Sequence, residues 1–225
     1  MAKAVRSLPE LADKVQVFRD RTHAGAVLAR MLDDYRDSAA VVLAIPSGGV
    51  PVAAEIARRL ALELDVAVVS KILLPWTTEA GFGAVAFDGS QWIDEDAVRI
   101  HAIEPDQIER QTKEARTKVE RRLKRLRGSR PPLNLAGRTV ILVDDGIAAG
   151  STMRAAIAAL RKQGVGEIAV AVPTAHDRSV ALVAPLADLV VCANIRGGFR
   201  FAVADAYEEW RDLSEDEVAA LLHGN

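Results

Sequence analysis

The stretch VILVDDGIAAGSTM, Val140 to Met153, joins an apolar run, an acidic pair and a loop of small residues. The apolar run ends at two adjacent carboxylates, Asp144 and Asp145, and a helix pattern opens at Ser151. A short run rich in β-branched residues predicts a strand buried on both faces, which is typical of a parallel sheet. The segment therefore predicts a strand-to-helix junction of an α/β fold, with carboxylates at the end of the strand.

The loop after the acidic pair has the composition of a phosphate-binding loop. Glycine and alanine allow the backbone to approach a ligand closely and to turn its N–H groups inward. A helix N-terminus adds partial positive charge and N–H donors without partners, and hydroxyl side chains add further donors. The residues concerned are Gly146, Ala148, Ala149, Gly150, Ser151 and Thr152.

The acidic pair has two chemical uses. Two carboxylates at a strand end can accept hydrogen bonds from a diol, or can hold Mg²⁺ directly or through water. The lysine of a Walker loop is absent, and the carboxylates precede the glycines, which excludes a dinucleotide fingerprint. The alternative is a plain helix start with Asp144 and Asp145 in solvent.

The rest of the chain alternates between strand and helix patterns. Helices are predicted over Phe18 to Tyr35, Pro51 to Leu64, Asp94 to Arg130, Ser151 to Gln163 and from Ser214, where Glu217 completes a capping box. Strands are predicted over Val41 to Ile45, Val66 to Ser70, TVILVDD, EIAVAV and DLVVCA. This order predicts a parallel sheet with helices on both faces and ligands beyond the carboxyl ends of its strands.

Composition limits the class of protein. The 225 residues suit one domain, and the net charge of −2 argues against a dedicated nucleic-acid binder. Cys192 is the only cysteine, which excludes an intrachain disulfide and fits a reducing compartment. No apolar run has the length of a membrane span or the pattern of a signal peptide, so a cytoplasmic protein without membrane partners is expected.

A second glycine loop follows the first predicted strand. In IPSGGVPVA, Ser47, Gly48 and Gly49 come directly after the apolar run, where backbone N–H groups could hold a phosphate. Glycines there would allow the backbone to approach the phosphate closely and to adopt unusual dihedral angles. Lys71 follows the next predicted strand and could reach the same anion. A simple turn and a surface lysine are the alternatives.

These motifs together resemble the type I phosphoribosyltransferases. The blocks FRDRTHAGAVLARML, IPSGGVPVAAEIA, GFGAVAFDG, VILVDDGIAAGSTM and FRFAVADAYEEWRDLSEDEV, which span most of the chain, look like a subgroup of that family. The resemblance implies a single domain over residues 1–225, with a lid at about 72–92 and a C-terminal flap at about 195–225. It also implies a homodimer as the default assembly.

The resemblance assigns roles to the two loops. The ligand would be 5-phosphoribosyl-1-pyrophosphate (PRPP) with Mg²⁺. Asp144 and Asp145 would be the catalytic pair, binding the ribose hydroxyls and, through PRPP, the metal. The segment from Ala148 to Thr152 would bind the 5-phosphate, and Ser47, Gly48, Gly49 and Lys71 would bind pyrophosphate.

Two positions depart from the family pattern. An arginine usually precedes the Gly-Gly pair, where this chain has Ser47, and another precedes the lysine, where this chain has Ser70. A charge-assisted hydrogen bond contributes roughly 1.5–3 kcal/mol, so the loss of two would weaken PRPP binding or change the preferred phosphate. Three functions remain open: a phosphoribosyltransferase acting on a nitrogen acceptor such as a nucleobase, a non-catalytic PRPP or nucleotide sensor, and a phosphohydrolase.

Other polar groups carry weaker signals. The basic run Arg110 to Arg130 lacks interleaved aromatics and is expected to be a solvated helix face. Residues near the start of the first helix could line the site or lie in solvent: Arg19, Arg21 and His23. His176-Asp177 lies near the expected acceptor end. In the segment 196–199, Phe199 could stack on a base or pack inside a glycine turn.

Overall fold

Two sheets organise the chain in a computed structural model that describes residues 4–77 and 80–223. The strands are β1 (Ala4–Arg6), β2 (Val41–Ala44), β3 (Glu63–Val66), β4 (Val69–Leu73), β5 (Gly81–Ala86), β6 (Gln91–Ile93), β7 (Thr139–Val143), β8 (Glu167–His176) and β9 (Leu189–Arg196). Six form a parallel sheet in the order β1-β9-β8-β7-β2-β3, and three form an antiparallel sheet in the order β4-β5-β6. The predicted parallel sheet is confirmed.

Helices cover both faces of the parallel sheet. They are α1 (Arg21–Met31), α2 (Gly49–Leu60), α3 (Glu95–Ile100), α4 (Pro105–Arg127), α5 (Ser151–Lys162), α6 (Asp177–Val183) and α7 (Glu215–His223). Alternate strand residues point to opposite sides, so Val42 packs in the core beneath α1 and α2, whereas Leu43 packs in the core beneath α5. Continuous burial of the strands follows from this two-sided cover.

Several predicted boundaries were wrong, and two of them lie at the ends of β3, close to where the chain passes from one sheet to the other. Helix α2 ends at Leu60, because Ala61 takes a left-handed conformation, and β3 then begins at Glu63, inside the predicted helix. The predicted strand Val66 to Ser70 is divided between the two sheets, since β3 ends at Val66 and β4 begins at Val69. An apolar run carries no sign of a change in hydrogen-bonding partner, and burial on both sides of the break hides it.

The predicted lid segment is the antiparallel sheet β4-β5-β6, called the arm below. Phe82 and Val85 are fully buried in it, whereas the indole of Trp76 is 61 % exposed. Trp92 is half-buried, with the guanidinium of Arg154 4.6 Å from its ring centre. The arm is therefore anchored on the core, and a closing motion stays a prediction.

The C-terminal helix has the predicted capping box. The Ser214 N–H donates to Glu217 at 2.9 Å, and the Glu217 N–H donates to the Ser214 hydroxyl at 3.2 Å. Helix α7 is joined to α4 by ion pairs, among them Arg125 with Asp216 at 2.5 Å. Across residues 4–77 and 80–223, none of the helices combines the length and apolarity that crossing a bilayer requires.

Candidate active site at the carboxyl edge of the sheet

The two glycine-containing segments meet because β2 and β7 are neighbouring parallel strands, with Ala44 in register with Val143. A Cβ built on Gly48 would lie 1.8 Å from Asp145 Oδ2, and one on Gly49 would lie 2.7 Å from the Val143 carbonyl oxygen. Neither position can hold a side chain without displacing the acidic pair. The loop after β2 and the carboxylates after β7 therefore form one site.

Close approach, and not backbone conformation, requires the glycine at position 48. Gly48 has φ −62° and ψ −33°, the ordinary helical region, so the expectation of unusual dihedral angles was wrong there. Gly150 is different, because its φ of 80° lies in the left-handed region at the start of α5. The two loops thus use glycine for different physical reasons.

An arginine of α1 holds Asp145 in place. The Arg21 Nε donates to Asp145 Oδ2 at 2.8 Å, and Nη1 donates to the Arg211 carbonyl oxygen at 2.9 Å. The guanidinium lies 3.9 Å from the ring centre of Trp210, which covers its face. Of the three polar groups predicted near the start of α1, Arg21 contacts the acidic pair, whereas the Arg19 N–H donates to His23 Nδ1 at 3.1 Å.

The two carboxyl groups of the pair have different surroundings. Burial, and next the adjacent Asp145 carboxylate, raise the pKa of Asp144 well above its usual range. Asp144 Oδ1 accepts a hydrogen bond from the Asp145 N–H at 2.8 Å. The hydroxyl of the buried Tyr207 donates to the Asp145 carbonyl oxygen at 2.6 Å and fixes the backbone of the pair.

The small-residue loop is attached to β8 and α6. The Ile147 N–H donates to the Thr174 carbonyl oxygen at 3.0 Å, and the Ser179 hydroxyl donates to the Ala148 carbonyl oxygen. Helix α5 starts at Ser151 with Gly150 as its cap, and glycine offers no side chain to the first N–H groups. Ala148 and Ala149 are exposed and Ser151 and Thr152 are half-buried, whereas Gly150 is buried, so solvent reaches the loop on both sides of the cap.

A basic residue of α4 reaches the loop after β2. Arg122 Nη2 donates to the Ser47 hydroxyl at 2.5 Å and Nη1 to the Pro46 carbonyl oxygen at 3.4 Å. Arg122 and Lys118 line a cavity of about 460 Å³ together with Ser70 and Lys71. The expectation that the whole run 110–130 is a solvated face was therefore wrong at Arg122, which is 20 % exposed. Sequence reasoning missed this residue.

Comparison with known proteins identifies the family. A family model described as "Phosphoribosyl transferase domain" matches residues 94–208. The chain belongs to the phosphoribosyl transferase family. Two Mycobacterium tuberculosis proteins, from strains CDC 1551 and H37Rv and provisionally named phosphoribosyl transferases, are each 40 % identical to it over 211 residues. That alignment covers 92 % of this chain and 47 % of each relative, so the chain spans about half the length of these curated relatives.

A solved structure shares the fold of this phosphoribosyl transferase family member. The crystal structure of TT1426 from Thermus thermophilus has 38 % sequence identity and a TM-score of 0.77. The match covers 91 % of this chain and 97 % of that protein. The expected resemblance and the expected fold class are both confirmed.

The far side of the candidate site is built from β8 and β9. His176 ends β8, and its Nε2 lies 2.9 Å from the Gly198 carbonyl oxygen, with its ring edge-on to Phe201 at 5.6 Å. Its neighbour Asp177 lies 2.9 Å from Nδ1. The side chain of Phe199 is fully exposed, so the packed-phenylalanine alternative is wrong.

Proposed function

We propose that this chain transfers the 5-phosphoribosyl group of PRPP to a nitrogen acceptor, such as a nucleobase, and releases pyrophosphate. The observation that carries the proposal is the contact between the two loops, in which Gly48 lies directly against Asp145. A ligand bound there would meet carboxylates, loop amides and the α5 N-terminus at once. PRPP carries hydroxyls, a diphosphate and a separate phosphate, which match these three features.

Each part of the proposed site has one task. Asp144 and Asp145 would accept hydrogen bonds from the ribose hydroxyls and favour positive charge on the ring, as an oxocarbenium-like transition state requires. The backbone of Ala148 to Thr152 would bind the 5-phosphate at the N-terminus of α5. The segment Ser47–Gly49 and Lys71 would stabilise the negative charge that grows on the departing pyrophosphate.

Magnesium fits the chemistry of this site as a metal shared with the ligand. Asp144 and Asp145 supply hard oxygen donors, and Mg²⁺ is usually held by one or two carboxylates together with substrate phosphates. No cluster of three or more metal-binding side chains occurs in the described ranges, 4–77 and 80–223. The ion would neutralise phosphate charge when bound with PRPP.

The acceptor would bind beyond the ribose, near residues 174–178 and 195–207. The exposed ring of Phe199 is available for stacking on a planar base. A homodimer in the cytoplasm, with the exposed part of the predicted lid near Trp76 closing over bound PRPP to exclude water, completes the proposal. Those three features rest on resemblance and composition.

Thermal unfolding with and without PRPP and Mg²⁺ tests the donor site. A ligand present at about 100 times its Kd adds about 2.7 kcal/mol, which raises the midpoint of a domain of this size by several degrees. We expect a Mg²⁺-dependent shift that Asp145→Asn abolishes, each protein being compared with its own ligand-free midpoint. An unchanged shift in Asp145→Asn would contradict the placement of the site.

Pyrophosphate release then separates the three functions. A transferase releases pyrophosphate only when a nucleobase or another nitrogen acceptor accompanies PRPP. Release without an acceptor would indicate the phosphohydrolase, and binding without any turnover would indicate the sensor. The screen should use adenine, hypoxanthine, guanine and uracil as first acceptors, because the four differ in hydrogen-bonding pattern but share a planar ring.

A further inference from the structure

The diphosphate side of the proposed site lacks cationic side chains in its own loop. Ser47 precedes the two glycines, and Ser70 precedes Lys71, so both positions adjacent to the expected anion are neutral. A diphosphate bound only by backbone N–H groups and one lysine would retain much uncompensated negative charge. Mg²⁺ would neutralise part of that charge, and a cationic side chain from another element of the fold would neutralise more of it.

Helix α4 brings two cations to this place. Arg122 donates to both the Ser47 hydroxyl and the Pro46 carbonyl oxygen, so its guanidinium lies on the loop itself. Lys118, one turn earlier on the same face of the helix, lines the cavity of about 460 Å³ that Ser70, Lys71 and Arg122 also line. Arg122 therefore connects this cavity, which Lys71 and Lys118 also line, to the loop after β2.

The position of Arg122 is not that of an ordinary surface charge. Its side chain is 20 % exposed, and its nearest carboxylate, Glu215 of α7, lies 3.7 Å from Nε. By contrast, Arg125 lies one turn further along, is 49 % exposed and pairs with Glu215 at 3.1 Å and with Asp216 at 2.5 Å. Arg125 therefore forms its ion pairs with α7, whereas Arg122 directs both Nη atoms at the loop.

We infer that Arg122, assisted by Lys118, is the diphosphate-binding arginine of this protein and replaces in space the cations that positions 47 and 70 lack. This inference rests on the proposed function and names the residues that bind its leaving group. A planar guanidinium can bind two phosphate oxygens at once, which a serine cannot do. The Ser47 hydroxyl holds the guanidinium at the loop until a diphosphate takes its place.

Three ligands and two matched variants test the inference. Binding of PRPP, of inorganic pyrophosphate and of ribose 5-phosphate, each with Mg²⁺, is measured by calorimetry for the wild type, Arg122→Met and Arg125→Met. We expect Arg122→Met to bind PRPP and pyrophosphate about 10- to 100-fold more weakly, as the loss of a charge-assisted hydrogen bond implies, and ribose 5-phosphate within about twofold of the wild type. Arg125→Met should match the wild type for all three.

One further variant keeps the test decisive if Arg122→Met does not fold, and a second tests rescue if it does. Lys118→Met changes an exposed side chain and should weaken PRPP and pyrophosphate binding about threefold to fivefold, with ribose 5-phosphate unaffected. Adding Ser47→Arg to Arg122→Met should restore most of the lost pyrophosphate affinity, because it returns a guanidinium to the loop.

The outcomes separate this inference from the proposed function. If the wild type binds PRPP and Arg122→Met binds PRPP and pyrophosphate equally well, the inference is wrong and the proposed function stands. An equal loss for ribose 5-phosphate would also overturn it, because the change would then have damaged the whole site. If the wild type binds none of the three ligands, both fail.

Discussion

Arg21 and Asp145 form an ion pair at 2.8 Å across 124 positions of sequence, with side chains only 10 % and 15 % exposed. The pair joins the start of α1 to the carboxyl end of β7. It places a fixed positive charge beside Asp145, whereas Asp144 forms no ion pair within residues 4–77 and 80–223 and accepts the Asp145 N–H. The acidic pair is therefore asymmetric before any ligand binds.

Removing the arginine tests the strength of this arrangement. Arg21→Met leaves a largely buried carboxylate without its partner, a change that costs roughly 3 kcal/mol in unfolding free energy. For a domain of this size the midpoint should fall by about 6–12 °C. Arg19→Met is the matched control, because Arg19 is 64 % exposed and should change the midpoint very little. Equal midpoints for the two variants would contradict the structural role of the pair.

Close contact at Gly48 gives a second prediction. Gly48→Ala places a methyl group 1.8 Å from Asp145 Oδ2, so the loop and the carboxylate must move apart. We expect PRPP binding to weaken at least about tenfold, because a displaced carboxylate loses its hydrogen bond to the ribose. Gly197→Ala is the control, since a methyl group there would lie 3.3 Å from its nearest neighbour, Asp177 Oδ2. Similar losses in both variants would rule out the contact as the cause.

The raised pKa of Asp144 predicts how stability depends on pH. A carboxyl whose pKa is higher in the folded state than in the unfolded chain opposes folding once it ionises. Stability attributable to Asp144 is therefore highest below the pKa of an unfolded aspartate and falls as pH rises through the raised value. Asp144→Asn removes this effect and can still accept the Asp145 N–H.

Unfolding midpoints of wild type and Asp144→Asn, measured between about pH 4 and pH 9, should accordingly diverge. The variant should become increasingly more stable than the wild type as pH rises, while it loses PRPP binding at neutral pH. Asp106→Asn, an exposed change in α4, controls for net charge. A constant difference across the range would contradict the raised pKa.

The hydrogen bond from Tyr207 to the backbone of Asp145 gives a further prediction. Tyr207→Phe removes the donor to the Asp145 carbonyl oxygen, which lies 2.6 Å from the hydroxyl, and leaves the ring packed against Phe18. The expected cost is about 1–3 kcal/mol in unfolding free energy, measured by denaturant titration. Tyr35→Phe offers a control, because the Tyr35 hydroxyl pairs with Glu167 at the other end of the sheet. Only the first variant should also weaken PRPP binding.

Sequence reasoning found the parts of the site that local patterns encode. The apolar strand, the acidic pair and the small-residue loop are continuous in the chain, and the α7 capping box was recognisable from Ser214 and Glu217 alone. The split of residues 66–70 between two sheets was missed because it depends on which strand lies alongside, and the composition of the run does not record this. Partner choice is a property of the tertiary fold.

The sequence contains a pattern that could have identified Arg122 as a partly buried residue. Helix α4 buries Ala115, Val119 and Leu126, and Arg122 continues this series at helical spacing. A charged residue within a buried stripe calls for a partner, because an unpaired buried charge is costly. The surrounding arginines and lysines obscured that spacing, and the identity of the partner, a loop 75 positions earlier, requires the structure.

The short link between the two sheets has a consequence for the energetics of ligand binding. Ala67 and Val68, which connect β3 to β4, have no exposed surface, so a swing of the arm at this point would bring core residues into water. Lys71 lies within β4, in register with Ala84 of β5, so the sheet fixes its backbone. The proposed diphosphate subsite would thus be preorganised: a ligand would lose its own freedom on binding, but little free energy would go into ordering the protein around it.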